Sequence, residues 1–551
     1  MAASDASVIE FGPAYAPLLP HIPDDLTIPQ FFLDHDMPER PKVPESVPWF
    51  VEDRTGRATT YPEVLCIFSP NDVGACIPLP YAFFSCLATD YLPAVWAIHK
   101  LGGVVTPANP SYSVDELVYQ LQTAKATSIL AHSDYLPVAL EAARAAGIPT
   151  ERVARFATAT SRSSPVQTID ELVSFGASRP QGYMERKLRA GEGQSKGTTG
   201  RPKAVVIPHR AVIANVLQMA THGRILDPKM SRIHVGDVTL AVLPMYLVTH
   251  FFLFCGVTLV VVPKFTFSDW LDSIERHKTS FTHSLQHPAA QGRDFSRIRF
   301  IMSGAAPLSA DLLERTAKLM PNAIVGQGYG MTETSTTISM VPPWQTIGTP
   351  GASGMIVDGT TVRVLKPDGT YAKEGELGEL LVRSPSNALG YLNNEKATKE
   401  TFLPGNWVRT GDEVYVKDHE IFIVDRIKEL IKVRGFQVAP AELEGHLLQH
   451  PAVADVCVVG VPDEYSGEVP LAFVVLHESY KGKVSSGAAM EELKADIAKH
   501  VADHKAAYKR LVGGVVIIDS VPKNPSGKIL RRMLRDRAKE ERAAVPLKAR
   551  L

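Results

Sequence analysis

Apolar segments of strand length alternate with amphipathic segments of helical length through most of the N-terminal part of the chain. One helical segment covers residues 94–100, and the glycine and valine run at 102–105 that follows it is typical of a strand. Such alternation is typical of layered α/β architecture, in which helices cover the faces of a largely buried sheet. The pattern therefore predicts a large layered α/β domain.

The pattern changes twice towards the C-terminus. After the turn signal Pro367-Asp368-Gly369, short strand-like segments separated by turns predict a β-rich subdomain at about 345–425. Past Asp425 the pattern suits a separate small α+β domain, whose helical and strand-like segments are residues 441–449, 453–461, 471–476, 490–500 and 515–518. The predicted fold class is thus α/β, with a β-rich subdomain and a smaller α+β C-terminal domain.

Length and composition agree with this organisation. The chain has 551 residues, more than one ordinary hydrophobic core holds, so two or more domains are expected. Hydrophobic residues make up 45% and charged residues 21%, as in ordinary soluble enzymes. The formal net charge of −1 offers no electrostatic reason to bind nucleic acid or an anionic membrane. The longest apolar run, residues 251–262, is shorter than the ~20 residues of a membrane-spanning helix, so no transmembrane segment is predicted.

The cysteines and the two ends bear on the compartment. Five cysteines show neither metal-ligand nor disulfide spacing, which predicts reduced thiols inside the cell. No Lys or Arg precedes Arg40, so the N-terminus is unlike a secretory or mitochondrial leader. The last residues, Ala549-Arg550-Leu551, are a variant of the Ser-Lys-Leu peroxisomal address. We therefore expect import by the peroxisomal receptor, with the cytoplasm as the alternative location.

The most informative stretch is residues 195–203, which read Ser-Lys-Gly-Thr-Thr-Gly-Arg-Pro-Lys. Glycines let backbone amides turn towards an anion, and hydroxyls and cations add donors, so this composition favours a polyphosphate-binding loop. It is not a Walker loop, because Pro202 stands where that motif counted from Gly197 requires glycine.

Three further motifs follow in a fixed order. The first, residues 326–335, reads Gly-Gln-Gly-Tyr-Gly-Met-Thr-Glu-Thr-Ser. The second has two parts: residues 407–412 read Trp-Val-Arg-Thr-Gly-Asp, and residues 425–435 read Asp-Arg-Ile-Lys-Glu-Leu-Ile-Lys-Val-Arg-Gly. The third, residues 522–528, reads Pro-Lys-Asn-Pro-Ser-Gly-Lys. With the loop at 195–203, this set resembles the adenylate-forming (AMP-binding) superfamily from about residue 22 to residue 540. Residues 435–444, Gly-Phe-Gln-Val-Ala-Pro-Ala-Glu-Leu-Glu, resemble the branch of 4-coumarate–CoA ligase and its fungal peroxisomal relatives.

The resemblance implies an AMP-forming acyl- or aryl-CoA ligase. Such an enzyme couples a small-molecule carboxylic acid to AMP, using ATP and Mg²⁺, because AMP leaves far more readily than oxide. It then transfers the acyl group to coenzyme A. The resemblance also implies an adenylation domain at 1–425, a small mobile C-terminal domain at 426–540 and a tail at 541–551.

The resemblance assigns residues that handle the phosphates. The loop would hold the β- and γ-phosphates through Ser195, Gly197, Thr198, Thr199, Gly200 and Lys203. Thr332 would bond the α-phosphate, and Glu333 would bind Mg²⁺, a hard ion that prefers carboxylate and phosphate oxygens. Lys528 would bridge the acid's carboxylate and the α-phosphate during adenylation.

Other residues would bind the nucleoside and coenzyme A. Tyr329 would lie against the adenine, with Gly304 and Ala305 in the opposite wall, while Asp412 would accept both ribose hydroxyls beside Arg426. The family moves the bridging lysine away by rotating its small domain about a hinge, which here matches Lys428. That rotation would bring the segment from Lys432 to Gly435 to the thioester-forming face.

The chain also departs from the family's pattern. Residues 183–194, before Ser195, are mostly charged or glycine and predict a poor central strand. The helix expected after Thr60-Tyr61 is missing from the pattern, residues 74–89 are unfamiliar, the segment 265–300 is shortened, and Leu247 replaces a family histidine. These departures keep an alternative open: a non-catalytic or impaired paralogue, or a mispredicted gene product, that retains the fold and nucleotide binding. The acid stays open among aryl-propenoic, phenylacetic and medium-chain fatty acids, as does the oligomeric state.

Overall fold

A computed structural model describes most of the chain. The described residues are 9–14, 19–67, 81–84, 88–110, 112–156, 165–177, 194–197, 203–242, 245, 248–262, 266–282, 290, 292–304, 310–434, 436–463, 465–481, 487–523 and 528–544. Every structural statement below concerns these residues.

Fourteen α-helices lie in these ranges. They are α1 Tyr61–Ile67, α2 Tyr91–Lys100, α3 Val114–Ala124, α4 Leu136–Ala145, α5 Ile169–Ala177, α6 His209–His222, α7 Val248–Phe254, α8 Phe267–His277, α9 Ala310–Leu319, α10 Glu395–Thr401, α11 Pro440–Leu447, α12 Glu478–Lys481, α13 Gly487–His504 and α14 Arg531–Ala544. None of these described helices is both long and apolar enough to cross a membrane.

The strands fall into an N-terminal and a C-terminal series. The first series is β1 Pro48–Glu52, β2 Ala58–Thr60, β3 Tyr81–Phe84, β4 Val105–Pro107, β5 Ser128–His132, β6 Val153–Phe156, β7 Gln194–Gly197, β8 Val205–Pro208, β9 Val238–Ala241, β10 Thr258–Val261, β11 Phe281–Thr282, β12 Phe300–Ser303 and β13 Ile324–Met331. The second series is β14 Thr336–Met340, β15 Met355–Ile356, β16 Thr361–Leu365, β17 Gly378–Arg383, β18 Gly390–Tyr391, β19 Phe402–Leu403, β20 Trp407–Lys417, β21 Glu420–Arg426, β22 Ile431–Val433, β23 Phe436–Val438, β24 Val453–Asp463, β25 Gly467–Leu476 and β26 Gly514–Ile517.

The largest sheet joins a parallel half to an antiparallel half. Its strand order is β16-β17-β20-β21-β15-β14-β13-β12-β11-β9-β10-β1-β2, with β19 paired to β20. The strands from β13 to β1 are parallel neighbours, and those from β14 to β16 are antiparallel. The buried, β-branched strands β9 and β10 have the continuous apolar character of a parallel sheet covered on both faces. The predicted α/β class is confirmed, and antiparallel strands occupy the region predicted to be β-rich.

Two smaller sheets complete the N-terminal part. One is parallel, in the order β4-β3-β5-β6, and the other is antiparallel, in the order β18-β8-β7. The second sheet pairs β7, which contains Ser195 to Gly197 of the predicted phosphate loop, with β8, which follows that loop. The first three residues of the predicted loop are therefore part of a strand.

The hairpin of β13 and β14 carries the second motif, and its glycines are required by close packing. A Cβ added at Gly330 would lie 1.5 Å from the carbonyl oxygen of Thr336, so no larger residue fits there. Helix α6 holds the other strand, because Asn215 accepts from the amide of Thr337 at 3.1 Å and donates to its carbonyl at 2.9 Å. Helix α6 thus fixes the second strand of the hairpin, whose first residue comes shortly after Glu333.

The C-terminal part is built on a five-stranded sheet of described residues, β23-β22-β25-β24 with β26 beside β25. Side chains along β24 alternate between two apolar clusters: Val456 and Val458 face one cluster, while Cys457 and Val459 face the other. Helices α11 and α13 cover the first face and α14 covers the second. Lys428, the expected hinge, lies between the last strand of the large sheet and the first strand of this one.

One expectation from the departures is wrong. A helix does follow Thr60, namely α1, whose proline at the second position suits a first helical turn. Part of the unfamiliar segment 74–89 also forms β3 in the parallel sheet, and α8 and β11 lie in the shortened segment 265–300. Residues 183–193 and Leu247 lie outside the described residues.

Candidate active site

Strand residues of two hairpins meet at one carboxylate. Asp412 on β20 stands opposite Arg426 on β21 in the strand register, and the Arg426 Nε lies 3.4 Å from Asp412 Oδ1. Tyr329 on β13 donates its hydroxyl to Asp412 Oδ2 at 2.5 Å. Asp412 is 5% exposed, so these two partners offset much of the cost of burying its charge.

The electrostatics of this group follow from burial. Burial raises the pKa of Asp412, while the Tyr329 hydroxyl, Arg426 and Lys528 act in the opposite direction. The pKa of Tyr329 lies well above its ordinary value, because the phenol is buried and faces the Asp412 carboxylate. Tyr329 therefore stays protonated and remains a donor to Asp412.

Lys528, from the C-terminal part of the chain, interacts electrostatically with the same carboxylate. Burial lowers the pKa of Lys528 and the Arg426 guanidinium lowers it further, while Glu429 and Asp412 raise it. The mutual effect of Lys528 and Asp412 places the ammonium group within electrostatic range of that carboxylate. We call Tyr329, Asp412, Arg426 and Lys528 the Asp412 cluster.

Arg531, which was not predicted from the sequence, holds the segment that follows Lys528 through two ion pairs. Arg531, at the start of α14, pairs with Glu429 at 3.2 Å and with Glu444 at 2.5 Å. These carboxylates raise the pKa of Arg531, although burial alone would lower it. The pairing ties the residues after Lys528 to the segment that follows Lys428, the expected hinge residue.

A second group forms around Glu333, at the tip of the β13–β14 hairpin. Tyr391 on β18 donates its hydroxyl to Glu333 Oε1 at 2.7 Å. The ammonium of Lys203 lies 4.6 Å from the centre of the Tyr391 ring, a cation–π distance. Burial and the Glu333 carboxylate raise the pKa of Tyr391, so its hydroxyl stays a donor. We call Glu333, Tyr391 and Lys203 the Glu333 cluster.

The backbone explains why Tyr391 arrives here. Strand β18 pairs with β8, which begins at Val205 shortly after Lys203, and the amide of Ala388 donates to the Glu333 carbonyl at 2.8 Å. Sequence analysis missed Tyr391, because its local pattern does not distinguish it from other half-buried aromatic residues. Only the pairing of two segments far apart in the chain brings Tyr391 to Glu333.

Of the other predicted site residues, two lie close to the residues of the clusters and one does not. Gly304 follows β12 beside the strand of Tyr329, since a Cβ added there would lie 3.6 Å from the Gly328 carbonyl oxygen. Thr332 is half-buried in the same short 3₁₀ turn as Glu333. Lys432 is exposed on β22 in the C-terminal sheet, with its amide bonded to Glu468 at 3.0 Å, and is not part of either cluster.

Some of the predicted site residues lie at the edge of the described part of the chain, and others lie outside it. Ser195 and Gly197 belong to β7 and pair with Ile207 and Val205 of β8. Five further predicted residues lie outside the described residues, namely Thr198, Thr199, Gly200, Ala305 and Gly435.

Most of the chain matches known proteins. Residues 88–392 match the family model described as "AMP-binding enzyme", and residues 442–528 match "AMP-binding enzyme C-terminal domain". The chain belongs to the AMP-binding enzyme family. It is 35% identical over 475 residues to 4-coumarate–CoA ligase 5 of Oryza sativa subsp. japonica, covering 81% of this chain and 83% of the relative.

A fungal relative and two solved structures agree. Acyl-CoA ligase AFT1-1 of Alternaria alternata is 35% identical over 499 residues, covering 83% of this chain and 82% of the relative. The anthranilate CoA ligase AuaEII in complex with anthranoyl-AMP shares the fold, with a TM-score of 0.76, 23% identity and coverage of 95% and 99%. ATP-bound MatB from Rhodopseudomonas palustris does so too, with a TM-score of 0.76, 23% identity and coverage of 94% and 99%.

These comparisons decide between the two readings of the sequence. The prediction of an AMP-forming acyl- or aryl-CoA ligase is confirmed at the level of the family. Nothing in them supports the alternative of a non-catalytic paralogue.

Proposed function

We propose that this protein activates a carboxylic acid with ATP at the Asp412 and Glu333 clusters and then transfers the acyl group to coenzyme A. One observation carries the proposal: Tyr329, Arg426 and Lys528, from three separate motifs, all act on the carboxylate of Asp412. A buried carboxylate at this point is a suitable acceptor for two ribose hydroxyls. Tyr329 would then lie beside the base, with Gly304 nearby.

Lys528 is the residue proposed to promote adenylation. The acid's carboxylate and the α-phosphate are both anionic, so their approach is opposed by repulsion that a cation between them removes. Lys528 belongs to the C-terminal part of the chain, yet lies within electrostatic range of Asp412. This placement suits the adenylation step, whereas the later thiol transfer requires the lysine to withdraw, for which we propose rotation about Lys428.

The Glu333 cluster fits a magnesium ion. Tyr391 occupies Oε1 of Glu333, and among the described residues no hydrogen-bond partner is recorded for Oε2. A carboxylate oxygen fixed in this way is a ligand that Mg²⁺ prefers, and the ion would offset the charge of the departing pyrophosphate. Lys203, held over the Tyr391 ring, would supply a second positive charge on the phosphate side, together with the loop from Ser195 to Gly200.

The decisive experiment measures pyrophosphate release by the purified chain with Mg-ATP and a panel of acids. Relatives named for 4-coumarate make hydroxycinnamic acids the first to test, followed by phenylacetic and medium-chain fatty acids. Without coenzyme A, hydroxylamine should trap the acyl-adenylate as a hydroxamate; with coenzyme A, acyl-CoA and AMP should form in equal amounts.

The lysine assignment needs a matched control. Lys528→Ala should slow acid-dependent pyrophosphate release by about 10²–10³-fold, as for other preorganised charge-stabilising donors. Lys523→Ala should change it little, because Lys523, five positions away, pairs with Asp455 at 2.6 Å instead. Acid-independent release, or equal loss in both variants from folded protein, would contradict the proposal.

We also propose peroxisomal import, which the terminal Ala549-Arg550-Leu551 supports. These residues lie outside the described part of the chain. A fluorescent protein fused to the N-terminus should collect in peroxisomes, and removal of the last three residues should disperse it. A fusion that is dispersed with and without those residues would refute the proposal.

A further inference from the structure

Four histidines that belong to neither cluster of the active site lie together on the C-terminal domain. His446 and His450 come from α11 and the turn after it, while His500 and His504 lie one turn apart on α13. The rings of His446 and His500 stack in parallel, with centroids 4.3 Å apart and planes 8° apart. The ring of His504 lies 5.3 Å from each of these two.

Each of three rings uses one nitrogen to hold its orientation. His446 Nε2 donates to the carbonyl of His500 at 3.1 Å, and His500 Nε2 donates to the carbonyl of His446 at 3.3 Å. His504 Nδ1 donates to the carbonyl of His500 at 2.9 Å. Metal-binding histidines are commonly oriented by such bonds from the second ring nitrogen to a carbonyl. The other nitrogen of each ring is then an acceptor, available as a ligand.

The spacing of the three rings suits one ion. One nitrogen from each of His446, His500 and His504 lies within 4.8 Å of the other two. Zinc bonds to imidazole of about 2.1 Å would require nitrogens about 3.4 Å apart in a tetrahedron, with each bond in the plane of its ring, so His446 and His500 would turn out of their parallel stack to share the ion. Since His504 is exposed, water can complete the coordination.

The fourth histidine, His450, packs against the proposed ligands and is not itself a ligand. His450 Nε2 donates to Asp496 at 3.2 Å, and its Nδ1 accepts from the amide of Ala452 at 3.2 Å, so both nitrogens are used. Its ring packs edge-on against His500, which restricts that ring. The Asp496 carboxylate adds negative charge close to the cluster.

We propose that His446, His500 and His504 form a binding site for a divalent transition-metal ion, with zinc as the ion to test. Three imidazoles favour zinc, nickel or copper over Mg²⁺, which prefers oxygen. The ion would join α11, which follows the hinge, to α13 across the first face of the C-terminal sheet. The site is independent of the proposed catalysis.

The test is zinc binding to the tag-free full-length chain, measured by calorimetry with excess Mg²⁺ present. We expect one equivalent of zinc to bind, and His500→Ala and His504→Ala each to weaken the affinity at least about tenfold. His477→Ala is the matched control, since the His477 side chain is exposed in the same domain and hydrogen-bonds to the nearby Ser479. Cobalt should bind wild type with the visible absorption of a low-symmetry site, and lose it in His504→Ala.

Two results of the zinc titrations would contradict the proposed site. Equal zinc affinity in wild type, His500→Ala and His504→Ala would overturn the proposal, and so would an equal loss in His477→Ala, which would indicate scattered surface binding. Should His500→Ala fail to fold, as judged by circular dichroism, the exposed His504 still provides the test.

Discussion

Replacing Tyr391 with phenylalanine isolates the one hydroxyl that orients Glu333. The ring would keep its cation–π contact with Lys203 and its edge-to-face contact with Phe402, so the substitution removes the 2.7 Å hydrogen bond to Glu333 Oε1 together with the hydroxyl's contact with Thr401. A hydrogen bond to a charged group is worth about 1.5–3 kcal/mol, and the half-buried position of both residues favours the lower end. Since about 1.4 kcal/mol is a factor of ten, we expect kcat/KM for ATP to fall about tenfold.

The assay is acid-dependent pyrophosphate release, measured over a range of free Mg²⁺ concentrations. If Tyr391 positions the metal-binding carboxylate, half-maximal activity of Tyr391→Phe should require more Mg²⁺ than wild type. Tyr415→Phe is the control, because Tyr415 stacks on Phe422 at 4.7 Å and lies outside both clusters. A Tyr391→Phe enzyme with unchanged kcat/KM and unchanged Mg²⁺ dependence would refute the reasoning.

Three other predictions test separate parts of the structure. Tyr329→Phe removes the 2.5 Å bond to Asp412, so KM for ATP should rise about tenfold in steady-state kinetics; an unchanged KM would count against the pairing. Lys528 acts as a cation with a lowered pKa, so adenylation should decline as pH rises through a value below that of free lysine. Lys528→Arg should remove this alkaline limb of the pH–rate profile, because a guanidinium stays charged. Gly330→Ala should lower the free energy of unfolding, measured with denaturant, by about 1–3 kcal/mol, because the added methyl group overpacks the hairpin. Gly445 lies in helix α11 with open space around it, so Gly445→Ala should raise the free energy of unfolding by about 0.5–1 kcal/mol. Equal stability of the two glycine variants would contradict the packing argument.

Local chemistry explains what could be predicted from the sequence. Alternating apolar segments and the order of four polar motifs predicted the α/β class and the family, since strand and helix periodicity and ligand-binding residue types are local properties. Tyr329, Glu333, Asp412, Arg426 and Lys528 were predicted as site residues through the family resemblance that those motifs carry. One local prediction, that the helix after Thr60 is missing, was wrong, because a short segment without strong periodicity still folded as a helix against the core.

Pairing between distant segments accounts for the rest. The role of Tyr391 depends on β18 lying beside β8, and that of Arg531 on two carboxylates brought to the start of α14. The histidine cluster likewise forms only because α11 packs against α13. The sequence by itself thus determined the family, the fold class and the reactive residue types. Only the tertiary structure decided which other side chains hold the predicted site residues in place. The reason is that hydrogen bonds and ion pairs between remote segments leave no periodic signal in the sequence.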